Sequence, residues 1–401
     1  MIKSAKMNQF ESRKDRKQAY RICMISGAYP PLRDGIGDYT FKLLENLKKS
    51  DLDITLLTSR IEGLEQNEEN FRIIPAVKRW NIFAVYMILK LIKQEQFDII
   101  HMQYPSSRYQ RTLSFAFLPL LVRIFERKTR IVITIHEFSI AYPINRLRQL
   151  LLAYFSDQVI VSDKGDFDKI TKVLANGLGK TKIIPIGSNI DARAPSENNK
   201  GLFLQENGFR PDRIIVSFFG FIHPNKGVET LLKAIAELKK TGSPIILLMI
   251  AELNAHKNSY HKDIEGLIGS LGIKELIFWT GYGNAAEISK FLSVSDICIL
   301  PFMDGVTFRR GTLMAALVHG LPVLSTKGID VPPKLKHKEN IYLTETGNFN
   351  DMASGVKELI ADRETRNRIA NNAKKLADEF SWDKIAAAHK ELYLDLMKGC
   401  R

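Results

Sequence analysis

Residues 300–323 read Leu-Pro-Phe-Met-Asp-Gly-Val-Thr-Phe-Arg-Arg-Gly-Thr-Leu-Met-Ala-Ala-Leu-Val-His-Gly-Leu-Pro-Val, and the order of residue types in that stretch decides the fold. An apolar strand at 297–300 stops at Pro301, a turn follows on Asp304-Gly305, and a small-residue helix beginning near Phe308 runs to Gly320. Strand, loop and helix in succession make the repeating unit of a parallel α/β sheet. The start of such a helix is also an anion site. Its first backbone N–H groups lack intrahelical acceptors and carry about half a positive charge, which stabilises a phosphate by roughly 0.3–2 kcal/mol. Arg309 and Arg310, beside Gly311, add forked donors suited to phosphate oxygens.

A second unit of the same kind lies upstream. Residues 213–222 read as an apolar strand, His223-Pro224-Asn225-Lys226-Gly227 as a loop, and 228–239 as a helix. Parallel sheets bind ligands beyond the carboxyl ends of their strands, and both loops occupy that position. Lys226 is expected to point into the same crevice as the arginines. A cation about 4 Å from a diphosphate contributes on the order of 4 kcal/mol at intermediate dielectric, so this set needs no metal.

Alternation of strands and longer helical patterns continues through the chain. Strands are expected at 21–26, 53–58, 98–102, 130–135, 158–162 and 182–185, and then at 214–219, 245–250, 277–280, 297–300, 322–325 and 341–343. The expected organisation is a basic mobile arm at 1–20 and a Rossmann-like domain at 21–190 completed by 381–401. A polar linker at 191–212 leads to a second Rossmann-like domain at 213–380, and the ligand is expected in the cleft between the two.

The chain has 401 residues, 25% of them charged, and a formal net charge of +14. Such a balance calls for an anionic partner. No finger, helix-turn-helix or basic-aromatic module supports nucleic acid. An anionic membrane surface fits better, because residues 1–21 carry seven Lys and Arg against Glu11 and Asp15 and lack the apolar core of a signal peptide. The apolar helical stretches 80–92 and 113–125 are too short to span a bilayer. They are expected to pack on the first sheet, with contact at lipid headgroups as the alternative. Three cysteines without metal spacing imply a reduced, cytoplasmic protein, at most at the inner face of the membrane.

Taken together, several motifs make the chain similar to one family from about residue 22 to the C-terminus. They are Pro30-Pro31-Leu32-Arg33-Asp34-Gly35-Ile36-Gly37-Asp38-Tyr39, residues 220–227, Phe278-Trp279-Thr280-Gly281-Tyr282, Ser295-Asp296-Ile297, residues 316–323 and Phe380-Ser381-Trp382. In order and spacing they resemble the retaining GT-B glycosyltransferases of the family 4 type, the glycosyl transferases of group 1. The resemblance implies two Rossmann-like domains facing each other across a cleft and transfer of a hexose-type sugar. The donor would be a nucleotide-diphosphate sugar, UDP- or GDP-linked, with retention at the anomeric carbon and neither metal nor cofactor. The acceptor would be lipid-linked or an oligosaccharide of the cell envelope.

The donor site is then expected to be lined by Gly35, Ile36, Gly37, Gly220, His223, Tyr282, Asp304, Thr307, Phe308 and Gly311; by resemblance His136 faces the donor sugar, and by position and charge Lys226, Arg309 and Arg310 hold the diphosphate. The family's paired glutamates fall at Thr307 and Ala315 and are absent. Arg309, Arg310 and Asp304 are the expected compensations. The loss also leaves open a catalytically inactive nucleotide-sugar- or glycan-binding relative that partners an active transferase, or an epimerase or phosphorylase on the same architecture. His319, near a helix end, is expected as an imidazolium favoured by the helix dipole, and Asp166-Phe167-Asp168 as a helix start in which Asp163 or Asp166 caps.

Overall fold

The structure, a computed structural model, describes residues 19–64, 67–68, 71–109, 112–139, 141–174, 177–192 and 199–399. Nearly all of the expected basic arm lies outside them, as does Cys400. The chain divides into two compact units, the first extending to Ile184 and regaining the residues from Ile385 onward, the second comprising Pro185–Lys384.

The first unit holds β1 (Arg21–Ser26), β2 (Asp53–Ser59), β3 (Asn67–Glu68), β4 (Phe71–Val77), β5 (Ile99–Tyr104), β6 (Arg130–Ile135), β7 (Gln158–Val161) and β8 (Thr181–Ile183) in one sheet of order β3-β4-β2-β1-β5-β6-β7-β8. The second holds β9 (Ile214–Phe219), β10 (Ile245–Ile250), β11 (Ile277–Trp279), β12 (Ile297–Leu300), β13 (Val323–Thr326) and β14 (Tyr342–Thr344) in the order β11-β10-β9-β12-β13-β14. Every pairing is parallel except β3 with β4. Both are Rossmann-like sheets. Chain order reverses direction between β1 and β5 in one and between β9 and β12 in the other, and such switch points are where open α/β sheets bind ligands.

The differences from the sequence reading have local causes. β4 went unread because Pro75 cannot donate to a ladder; it is tolerated because β3 pairs only with Phe71 and Arg72, leaving Pro75 at the sheet edge. The expected linker instead contains the helix Asn199–Glu206, whose Phe203 and Leu204 enter the second core. Residues 185–190 and 381–384 belong to the second unit, where the Trp382 indole donates to the Ser188 carbonyl at 2.6 Å. The expected helix at 113–125 is two, Leu113–Ala116 and Leu118–Phe125.

The returning helix Trp382–Lys398 gives the first unit His389 and Tyr393, both fully buried. Tyr393 Oη lies 2.6 Å from His101 Nδ1, and His101 Nε2 lies 2.7 Å from Thr134 Oγ1. His389 Nδ1 donates to the Ile385 carbonyl at 2.8 Å, and its ring stacks on His101 at 5.7 Å. His136 Nε2 donates to Gln103 Oε1 at 3.0 Å. Three buried imidazoles thus share one core, with no carboxylate among their hydrogen-bond partners in the described residues.

Burial, reinforced at His101 and His136 by neighbouring imidazoles, pushes these groups down: His136 to about 3, His389 to about 4, and His101 well below its ordinary value. In the unfolded chain each titrates near 6.5. Below that pH the unfolded chain takes up protons that the folded chain refuses, so stability present above about pH 6.5 is lost toward the folded values, by up to about 1.4 kcal/mol per pH unit for each histidine. Asp38, pushed up to about 6 by desolvation and then by Asp34, opposes this with a single group. Melting at pH 5 should fall by more than about 5 °C relative to pH 7.5; equal melting temperatures would contradict neutral buried histidines.

Candidate functional site

In the second unit the loops after β9 and β12 are joined. Met303 N–H donates to the Asn225 carbonyl at 3.0 Å. Gly227 has φ +65°, and a Cβ there would collide with the Pro301 carbonyl oxygen, so only glycine fits both the backbone conformation and the approach. The contact brings two cations to one aromatic ring. Lys226 Nζ lies 5.1 Å and Arg310 Cζ 4.6 Å from the centroid of buried Phe302, which places the charges within about 10 Å of one another. The Arg310 side chain is only 10% exposed and pairs with both oxygens of Asp304. Asp304 is therefore committed to holding Arg310 as well as facing the loop.

The helix expected to begin near Phe308 begins at Gly311, and Arg310 stands at its N-cap without a side-chain cap bond. Its first intrahelical bond runs from Met314 N–H to the Arg310 carbonyl at 3.1 Å. Elsewhere in this unit Asn258, Asn284, Asn348 and Asp362 cap the helices Ser259–Leu271, Ala285–Ser293, Phe349–Ala361 and Arg363–Ala377. Val228–Lys240 and Gly311–Val318, the α-helices that follow β9 and β12, start without a side-chain cap bond. Thr307 Oγ1 and Thr312 Oγ1 are buried without a hydrogen-bond partner among the described residues, a condition that costs about 1–3 kcal/mol for each group. Two hydroxyls, a bare helix start and two cations gather at one switch point. That arrangement accepts a multiply charged, oxygen-rich anion.

The remaining expected residues take different positions. Gly220, at φ +143°, lies against Thr312, whose Cγ2 is 3.4 Å from where a Cβ would stand, and Gly311 faces open space. Phe308 turns into the core, its ring 4.7 Å from that of Phe380. Arg309 is half-buried. His223 caps its own loop, with Nδ1 2.9 Å from Asn225 Oδ1, and Tyr282 is exposed beyond β11. Ala315 is fully buried in the second core, so that glutamate position faces packing. Burial pushes the His319 imidazole down, contrary to the expected imidazolium; its Nδ1 lies 2.7 Å from the Ala315 carbonyl. Phe302 and Thr312 were missed. Their only signal was an aromatic at a strand exit and a hydroxyl in a first helical turn.

The corresponding helix start in the first unit has the opposite sign. Asp34 Oδ1 accepts from Ile36 N–H and Gly37 N–H, both at 3.0 Å, and Asp34 Oδ2 accepts from Ser107 Oγ at 2.9 Å. These backbone donors already serve a carboxylate. A Cβ on Gly37 would lie 3.1 Å from the Tyr29 nitrogen, whereas Gly35 faces open space. His136 directly follows β6, with its ring 4.8 Å from that of Tyr39. The loop after it is pinned by Asp166, which accepts from Ser139 N–H at 2.7 Å, while Asp163 caps the helix Lys164–Val173. Asp168 pairs outward with Lys164 at 3.0 Å, so the two acids of the Asp-x-Asp stretch diverge.

Gly227→Ala should destabilise the protein by about 2–4 kcal/mol through forced left-handed backbone and the Pro301 collision. Chemical denaturation measures it, and a change below about 0.5 kcal/mol would show that the two loops are not held by that contact.

The chain matches the model of glycosyltransferase family 4 over residues 33–190 and that of glycosyl transferases group 1 over residues 199–376. It is 22% identical over 393 residues to an uncharacterized glycosyltransferase of Methanocaldococcus jannaschii, covering 93% of this chain and 97% of that one. It is 21% identical over 403 residues to the capsular polysaccharide biosynthesis glycosyltransferase CapM of Staphylococcus aureus, covering 95% and 98%. The solved structure of Anabaena HepE in complex with UDP and glucose superposes with a TM-score of 0.75 at 17% identity, covering 94% of this chain and all of that one. With two Rossmann-like parallel-sheet units of the GT-B type and both family models matched, the chain belongs to the group 1, family 4-like glycosyltransferases.

Proposed function

We propose that this glycosyltransferase moves a hexose-type sugar from a nucleotide-diphosphate donor to an acceptor hydroxyl, with retention and without a metal. The observation that carries the reading is the contrast between the two helix starts. One is occupied by the Asp34 carboxylate, the other is uncapped beside Lys226, Arg310 and two unpartnered threonine hydroxyls. A diphosphate is repelled by the first and drawn to the second. As the glycosidic bond breaks, negative charge grows on the leaving phosphate oxygen. Fixed donors aimed at developing charge stabilise a transition state without reorganising, and the Asp304 pair holds Arg310 in place for that role.

HepE, solved with UDP and glucose, supports a uridine donor, and the likeness to CapM supports a polysaccharide or glycolipid product of the cell envelope. The first unit supplies the acceptor side. His136 is kept neutral by burial, with its Nε2 proton given to Gln103, so it brings the first unit a hydrogen-bonding ring without a charge. The missing glutamates favour a second reading, a relative that binds the donor without turning it over.

Lys226→Ala should weaken UDP binding more than about tenfold, and Thr312→Val, which keeps the shape, about three- to tenfold. Unchanged calorimetric affinity in both would remove the diphosphate from this site. With donor and an acceptor mixture, turnover should persist in excess chelator and the product should keep the donor's anomeric configuration. Tight binding with no transfer would select the inactive relative.

A further inference from the structure

Among the described residues eighteen large apolar side chains are exposed, and eleven of them lie between residues 82 and 154. Nine sit on four helices of the first unit, Ile82–Glu95, Leu113–Ala116, Leu118–Phe125 and Pro143–Phe155, and Phe117 and Tyr142 stand at N-caps of the last two; these helices pack on one another and bury their inner faces in a single core cluster. Each helix thus buries one apolar side in the core of the unit and carries further apolar side chains that stay exposed among the described residues. Phe83, Tyr86, Phe125, Tyr142 and Tyr154 each expose 64–78% of their surface. Exposed large apolar side chains concentrated on one set of mutually packed helices mark an interaction site in a stable protein.

The charge around it identifies the partner. Residues 78–157 contain twelve Lys and Arg against five Asp and Glu, Asp157 pairing with Arg123 and Arg130, which supplies +7 of the chain's formal +14. On the first of these helices Phe83, Tyr86, Lys90 and Lys93 follow one another at helical spacing and are all exposed, and Arg127 and Lys128 follow Phe125 after Glu126. Two copies of so basic a face repel one another. An anionic bilayer takes both features at once, with lysine and arginine at the phosphates and amphipathic tyrosine rings at headgroup depth. No helix of the described residues is long and apolar enough to cross a membrane, so contact runs along the helices.

We propose that this four-helix layer is a docking face for an anionic phospholipid surface. The layer lies outside the donor site and does not depend on the reading of that site. If both hold, the enzyme meets its acceptor at the membrane, and a lipid-linked acceptor is the class that such docking serves.

The test is co-sedimentation with vesicles of phosphatidylglycerol and phosphatidylcholine in equal parts, and with phosphatidylcholine alone. The wild type should bind the first far better than the second, with affinity falling as salt rises. The combined variant Phe83→Ser, Tyr86→Ser and Phe125→Ser should lose at least about tenfold in partitioning. Lys90→Glu with Lys93→Glu should lose the salt-sensitive part. Both variants should keep the wild-type melting temperature and UDP affinity, which separates failure here from failure of the donor site. Equal vesicle binding by wild type and variants, or no binding by the wild type, would overturn the proposal. A wild-type dimer that the Ser variant dissolves in sedimentation velocity would overturn it in favour of a second copy.

Discussion

The approach of the Gly227 backbone to the Pro301 carbonyl governs the second unit's site. β9 and β12 are neighbours in the sheet, so their exits are close by construction. Closeness of strands does not fix the loops. What fixes them is a glycine that lets one loop lie on the other, reinforced by the hydrogen bond from Met303 to Asn225. Lys226 and Arg310, 84 positions apart in the chain, then share the Phe302 ring. A packed aromatic floor also excludes water beneath the cations, which raises what each charge contributes to holding an anion.

The sign of each helix start follows from one side chain. In the first unit Asp34 satisfies two N–H groups and fixes a negative charge where a phosphate would otherwise sit. In the second, the N-cap position belongs to Arg310, which has no acceptor oxygen to give. The same Rossmann-like unit is therefore used twice with opposite polarity. Asp304 belongs to this account as well. It screens Arg310 and sets its orientation, a role that differs from contacting sugar hydroxyls.

Much of this was legible because the physics is local. Buried parallel strands are continuous apolar runs, so β1, β6, β9, β10 and β12 could be read directly, and Asp304-Gly305 announced the loop that follows β12. The illegible parts depend on contacts distant in sequence. Nothing near Pro75 says that its strand lies by the sheet edge, and nothing near Phe203 says that a polar stretch contains a core anchor. Spacing placed Asp304 near the arginines but not in their grip. Exposed Tyr142 and Leu147, beyond the stretches noticed for their apolarity, became part of a surface only once their helix packed beside the others. His101, His136 and His389 belong to three separate segments, and their common burial could not be anticipated from any one of them.

The account rests on where a diphosphate settles. A crystal structure of the protein soaked with UDP measures this directly. The prediction is a β-phosphate at the start of the helix Gly311–Val318, within hydrogen-bond distance of the Thr312 hydroxyl and of Lys226 or Arg310. Phosphates found at the Asp34-capped helix of the first unit, or away from both cations, would contradict it.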